Sequence, residues 1–173
     1  QRLNRPNDLA VRSDGWVYFS DVRSSNVGAN NVWPSSLYRV REPGTLQLVA
    51  NDISPNGVAL SPDEKHLFIG GGKIWRYDVN PDASVTNRID FNAIGCDGLK
   101  VDPRGNVFCA TGAVRGIRIL SPEGKHLGTI RTPDDGAGPQ NVAFVDPDGK
   151  TLYITIKRSL ARIRLRTSGF ANQ

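Results

Sequence analysis

The chain has 173 residues, 22 Lys and Arg against 17 Asp and Glu, a formal net charge of +5 and 38% hydrophobic residues. This length suits one domain, and the composition excludes a disordered or low-complexity chain. Apolar runs stay far below the ~20 residues of a membrane-spanning helix, and 18 Gly with 11 Pro favour short strands over long helices. The sequence holds no Met and begins with Gln1, which reads as a removed initiator or missing upstream residues.

Four similar segments follow one another. The first, residues 5–21, opens on Arg5-Pro6-Asn7-Asp8 and continues as two apolar alternations around a turn. Further alternations at 36–40 and 45–50 complete four expected strands. The second, residues 54–70, opens on Ser54-Pro55-Asn56-Gly57 and is followed by strands at 73–79 and 83–89. The third, residues 95–112, carries Asp97-Gly98 and is followed by strands at 116–120 and 126–131. The fourth, residues 139–155, carries Asn141 and is followed by one strand at 160–165. Residues 167–173 show little alternation, so this last repeat lacks a fourth strand.

The equivalent residues Asn7, Asn56, Asp97 and Asn141 are spaced by 49, 41 and 44. That period is the length of a β-propeller blade. The expected fold is all-β: a β-propeller with nearly four four-stranded blades at about 5–50, 54–90, 95–132 and 139–166. A closed four-blade ring and part of a larger ring both fit; the missing outer strand favours the larger ring. An open arc leaves two apolar flanks, to be covered by self-association or by further blades.

First strands of propeller blades line a central channel. Asn7, Asn56, Asp97 and Asn141 would then face one axis with three amide oxygens and one carboxylate. Ca²⁺ accepts such donors, and Mg²⁺ or Mn²⁺ does so with waters. The plainer alternative is that Asn and Asp start strands because they cap turns. A single carboxylate is also a low charge count for a divalent ion.

Arg5-Pro6-Asn7-Asp8, Ser54-Pro55-Asn56-Gly57-Val58-Ala59, Asp97-Gly98-Leu99-Lys100-Val101-Asp102 and Asn141-Val142-Ala143-Phe144 with Asp148-Gly149-Lys150 resemble the SMP-30/gluconolactonase/LRE-like family. The resemblance runs over essentially the whole chain and corresponds to roughly the C-terminal 60% of the family's length. It implies a six-bladed ring that hydrolyses sugar lactones with one divalent metal, Ca²⁺ first, with Zn²⁺, Mn²⁺ or Mg²⁺ as alternatives. It implies Asn56 and Asp97 as metal ligands, Asp97 also as general base, and Arg5 and Asn7 as residues that meet substrate and metal-bound water. Asn141 is not a ligand in that pattern and is expected to cap its strand. No residue of this chain matches the family's metal-binding Glu. The family's lid corresponds to residues 22–35, with Asn26, Asn30, Asn31 and Trp33 but no acidic residue, so substrate preference does not carry over.

The alternatives are a non-catalytic binding or scaffold propeller, since propellers host many functions, or hydrolysis of another small ester. Nucleic-acid and membrane partners are not expected. Lys157, Arg158, Arg162, Arg164 and Arg166 read as the charged guard of an edge strand. His66 and His126 recur after turn lysines and read as surface residues, Gly70-Gly71-Gly72 as a hairpin turn, and Trp16 and Trp75 as packing residues. No Gly-x-Ser-x-Gly nucleophile elbow occurs. Cys96 and Cys109 fall on two arms of one hairpin with Cys109 opposite Lys100. At ~3.3 Å per residue they would stand roughly 13 Å apart, beyond disulfide reach. Free thiols lean toward a reducing, cytoplasmic setting.

Overall fold

The computed structural model describes residues 3–22, 35–133 and 138–169. Among these described residues fifteen strands form three four-stranded sheets and one three-stranded sheet, each antiparallel and in chain order. Blade 1 holds β1 (Pro6–Val11), β2 (Val17–Asp21), β3 (Ser36–Val40) and β4 (Gln47–Ala50). Blade 2 holds β5 (Pro55–Leu60), β6 (His66–Gly71), β7 (Ile74–Val79) and β8 (Val85–Asn92). Blade 3 holds β9 (Leu99–Val101), β10 (Val107–Thr111), β11 (Gly116–Leu120) and β12 (His126–Arg131). Blade 4 holds β13 (Pro139–Val145), β14 (Thr151–Ile156) and β15 (Ser159–Arg164). The all-β propeller expectation is met, with three strands in the last blade among the described residues. The last strand of blade 2 runs later than the alternation suggested, because Ala83 sits in the preceding turn with φ +62°.

The core lies between the blades, as period-2 strands with one buried face require. Tyr18 and Leu37 of blade 1 pack on Val58, Leu67 and Ile69 of blade 2. Ala59, Phe68 and Ile74 meet Leu99, Val107 and Cys109 of blade 3. Phe108, Ala110 and Ile117 meet Val142, Leu152 and Ile154 of blade 4. Polar ties cross the same boundaries: the Tyr18 hydroxyl donates to the Ala83 carbonyl at 2.6 Å.

Among the described residues two flanks carry no further blade. On blade 1, Leu9, Phe19, Tyr38 and Leu48 form one cross-strand row, and Leu9 and Leu48 are 54% and 48% exposed. On blade 4, β15 is an edge, and its Arg162 and Arg164 lie across from Tyr153 and Thr151. Arg164 pairs with Asp148, so charge guards this edge as read from the sequence. Among the described residues no helix is long and apolar enough to cross a membrane.

The reading of Cys96 and Cys109 as free thiols is overturned. They form a disulfide with Cα atoms 5.7 Å apart. Two features brought them together. Cys109 pairs with Leu99, not with Lys100. The chain before Leu99 is also not a straight strand: the Cys96 amide leaves blade 3 to donate to the Gly71 carbonyl of blade 2 at 2.8 Å. The lean toward a reducing compartment loses its basis with the free thiols.

Candidate active site

Each inner strand begins with an irregularity, at the repeated Asn or Asp in blades 1 to 3 and at Gln140 in blade 4. In β1 the pairing passes from Pro6–Asp21 to Leu9–Phe19, so one extra residue is inserted at Asn7-Asp8. In β5 it passes from Pro55–Gly71 to Val58–Ile69, with the extra residue at Asn56-Gly57. In β13 it passes from Pro139–Ile156 to Asn141–Thr155, with the extra residue at Gln140; Gln140, and not Asn141 as the sequence spacing suggested, therefore takes the place that Asn7, Asn56 and Asp97 hold in their blades. Before β9 the Asp97 amide donates to the Ala110 carbonyl and the Ala110 amide to the Gly98 carbonyl, each at 2.9 Å, so two residues again oppose one. A bulge bends its strand and re-aims the side chain at that point.

The bulges bring Asn56, Asp97 and Asn141 together. The Gly57 amide donates to the Asp97 carbonyl at 3.0 Å, and the Gly98 amide to the Gln140 carbonyl at 2.7 Å. The Asn56 side-chain amide lies within hydrogen-bonding reach of the Asp97 carboxylate. Asn56 Oδ1 is buried and has no hydrogen-bond partner among the described residues, an expensive state for an amide oxygen unless a ligand meets it. Asn141 Oδ1 accepts from the Val142 amide at 2.8 Å, as expected of a residue that caps its strand, and its side chain covers the Gly98 Cα. Arg5 and Asn7 are exposed on the neighbouring inner strand. A cleft of about 720 Å³ opens beside blade 2 at the end that carries Asn56, lined in part by Ser54, Gly72, Lys73 and Trp75.

Partial burial is the main cause that raises the Asp97 carboxyl above its ordinary value. The hydrogen bond from Asn56 opposes that rise, and the charge of Asp8 adds to it. Such a group holds a proton more readily than an ordinary aspartate, which suits a general base, and a cation placed beside it would restore its ionised form.

Sequence reasoning passed over Asp8, Ser20 and Asp21. Asp8 carboxylate oxygens accept from the Leu9 amide at 2.9 Å and the Val58 amide at 3.2 Å, which crosses from blade 1 to blade 2. The Ser20 hydroxyl donates to the Asn56 carbonyl at 2.5 Å and accepts from the Asp8 amide at 3.1 Å. The signal available for Asp8 was its place directly after Asn7. Residues 23–34, which include Asn26, Asn30, Asn31 and Trp33 of the expected lid, lie outside the described residues. His66 lies 3.1 Å from the Asp78 carboxylate and His126 3.0 Å from the Thr129 hydroxyl, both remote from the bulges. Among the described residues no group of three or more His, Cys, Asp and Glu could hold a metal ion. The donors present are instead amide oxygens with one carboxylate, a hard set that fits a cation of the Ca²⁺ type.

Antiparallel four-stranded sheets in chain order, joined at the bulged entries of their inner strands, define the class: an arc of a β-propeller. The SMP-30/Gluconolactonase/LRE-like region matches residues 1–158, and the chain belongs to that family. It is 32% identical over 193 aligned residues to a gluconolactonase of Zymomonas mobilis subsp. mobilis, covering 98% of this chain and 52% of that protein. It is 25% identical to the lactonohydrolase oryL of Aspergillus oryzae, covering 96% of this chain and 45% of that one. The solved gluconolactonase of Xanthomonas campestris superposes with a TM-score of 0.81 at 30% identity, over 94% of this chain and 58% of that one. The regucalcin of Agrobacterium tumefaciens, a calcium-binding protein, shares the fold, with a TM-score of 0.75 at 20% identity over 97% of this chain and 65% of that one. The chain thus spans about half the length of the curated relatives it matches.

Proposed function

We propose that this chain carries the metal-binding and substrate-facing part of a sugar-lactone hydrolase. The observation that carries the reading is the buried, unpartnered Asn56 Oδ1 held beside the Asp97 carboxylate at two adjacent bulges. Asn56 and Asp97 would hold one divalent cation, Ca²⁺ in the first place, with Zn²⁺, Mn²⁺ and Mg²⁺ as alternatives. Bound there, the cation supplies Lewis acidity toward the lactone carbonyl and lowers the pKa of water.

This chain's residues supply the rest. Asp97 accepts the proton of the water that attacks the carbonyl carbon; its raised proton affinity suits that task at mild pH. Arg5 offers a fixed positive charge to the oxygen on which negative charge develops. Asn7 offers its amide to a sugar hydroxyl or to the attacking water. The ring C–O bond then breaks, the former ring oxygen takes the proton back from Asp97 and leaves as a hydroxyl, and the product is a hydroxy acid that ionises. The relatives support this chemistry by name, as gluconolactonase and lactonohydrolases.

The test is proton release from D-glucono-1,5-lactone by the 173-residue chain. It is run after chelation and again with Ca²⁺, Mn²⁺ or Zn²⁺ restored, against the spontaneous rate. Metal-dependent turnover is expected. Equal rates with and without metal would overturn the reading for this chain and favour a binding propeller.

A further inference from the structure

The geometry points to Asp21 as the positioning residue of this site: its buried carboxylate fixes the entry to the Arg5-Pro6-Asn7-Asp8 segment at two successive backbone amides. This inference rests on the reading that Arg5 and Asn7 meet substrate. Asp21 is fully buried. A buried carboxylate is costly unless its oxygens are filled by donors. Here they are filled by one short stretch of chain: Oδ2 accepts from the Asn4 amide at 2.8 Å, and Oδ1 from the Arg5 amide at 2.6 Å. The Asn4 side-chain amide adds a longer contact at 3.4 Å. Hydrogen bonds to an ionised acceptor are about twice as strong as neutral ones, so the entry to β1 is held at two successive amides.

Two backbone carbonyls beside this carboxylate carry further contacts. The Val22 amide donates to the Arg5 carbonyl at 3.1 Å, and the Ser35 hydroxyl donates to the Asp21 carbonyl at 2.8 Å. Asp21 also stands between Pro6 and Ser36 in the sheet. Val22 and Ser35 are thus held by backbone carbonyls, and what the carboxylate itself holds is the Asn4-Arg5 stretch.

Comparison across the repeats shows that the fold does not require this carboxylate. Asp21 lies opposite Pro6, and the residues in the same position opposite Pro55 and Pro139 are Gly71 and Ile156. Two blades build the same bulged entry with no acid there. The carboxylate is special to the blade that bears Arg5 and Asn7.

The experiment compares the wild-type chain with Asp21→Asn, and with Asp21→Glu should the Asn variant fail to fold. Hydrogen exchange is read on peptides covering residues 3–8, 36–40 and 55–60, Ca²⁺ affinity by calorimetry, and hydrolysis of D-glucono-1,5-lactone in parallel. The expected result is about tenfold faster exchange at the Arg5 amide. Exchange at 36–40 and 55–60 and Ca²⁺ affinity stay as in the wild type, and KM rises several-fold more than kcat falls. Unchanged exchange at Arg5, or faster exchange spread evenly over blade 1, would overturn the positioning role. A wild-type chain with no metal-dependent hydrolysis would overturn the lactonase reading instead, while the exchange data still decide the role of Asp21.

Discussion

The backbone amide of Gly57 donates to the carbonyl of Asp97 at 3.0 Å, so the residues flanking the candidate metal position are joined across a blade boundary. The approach is close enough to exclude a side chain on Gly57. A Cβ there would lie 2.3 Å from the Asp97 carbonyl oxygen and 2.9 Å from the Gly98 Cα. Both contacts are with backbone, which cannot rotate away. Gly57→Ala is expected to push blades 2 and 3 apart at the site, at a cost of about 1–3 kcal/mol. Calcium affinity should fall with the melting temperature. A variant with normal affinity and normal melting would show that the blades slide past each other freely.

Asp97 sets function against stability. Its folded proton affinity is raised above the ordinary 3.8, mainly by burial. In the window between 3.8 and the raised value the folded chain binds more protons than the unfolded chain. The stability from this group is therefore full below 3.8 and lost as pH rises through the folded value. Asp97→Asn should melt higher than the wild type at pH ~7 without metal, and should hydrolyse lactone at least ~10²-fold more slowly. Thermal melts across pH, with and without Ca²⁺, check the first statement; saturating metal should flatten the wild-type trend.

The activity should report the same group. Ionised Asp97 is the form that accepts a proton, so the rate is expected to fall on the acid side as Asp97 takes one up. A cation beside the carboxylate favours its ionised form, so this acid limb is expected to move to lower pH as Ca²⁺ goes from limiting to saturating. The profile is read from initial rates of lactone hydrolysis corrected for the spontaneous reaction. An acid limb that does not move with Ca²⁺ would remove Asp97 from the combined role of ligand and base.

Tyr18 donates its buried hydroxyl to Ala83 across the boundary of blades 1 and 2. Ala83 is fully buried, so its carbonyl has no ready access to water. Tyr18→Phe keeps the ring and leaves that acceptor short of a donor. The expected loss is about 1–3 kcal/mol in denaturant unfolding, with little change in metal affinity.

The Cys96–Cys109 pair closes a short loop, with a sequence separation of 13. In the chain-entropy account a loop of this size stabilises by about 3 kcal/mol. Unfolded but unreduced protein should take up no iodoacetamide, and reduction should lower the denaturation midpoint. Labelling of both thiols before reduction would show that they are free.

Much of the fold was legible in the sequence because blade strands bury one face and so alternate strictly. The turns of Ser, Asp, Pro and Gly marked their ends, and strands such as Ser36–Val40, Gly116–Leu120 and His126–Arg131 fall where the alternation placed them. The bulges were not legible. An inserted residue leaves the alternation on either side intact and only changes which partner it faces. This is why a straight-strand estimate put Cys96 and Cys109 far apart, and why the register was off by one at Cys109. The motif residues Asn56 and Asp97 stood out through repetition. Asp21 did not, because it closes an ordinary apolar strand, and its importance lies in two backbone amides seventeen and sixteen positions earlier.

Because the same extra residue turns every inner strand at its entry, the backbone decides where a side chain is presented and the residue type decides only its chemistry. Asn7, Asn56, Asp97 and Gln140 hold the corresponding place in the four blades. Changing Asn56 to Asp or Asp97 to Asn alters the charge presented there by one and leaves the bulge in place. On the proposed function, single substitutions at these four positions are the short route by which the arc would change the ion it accepts.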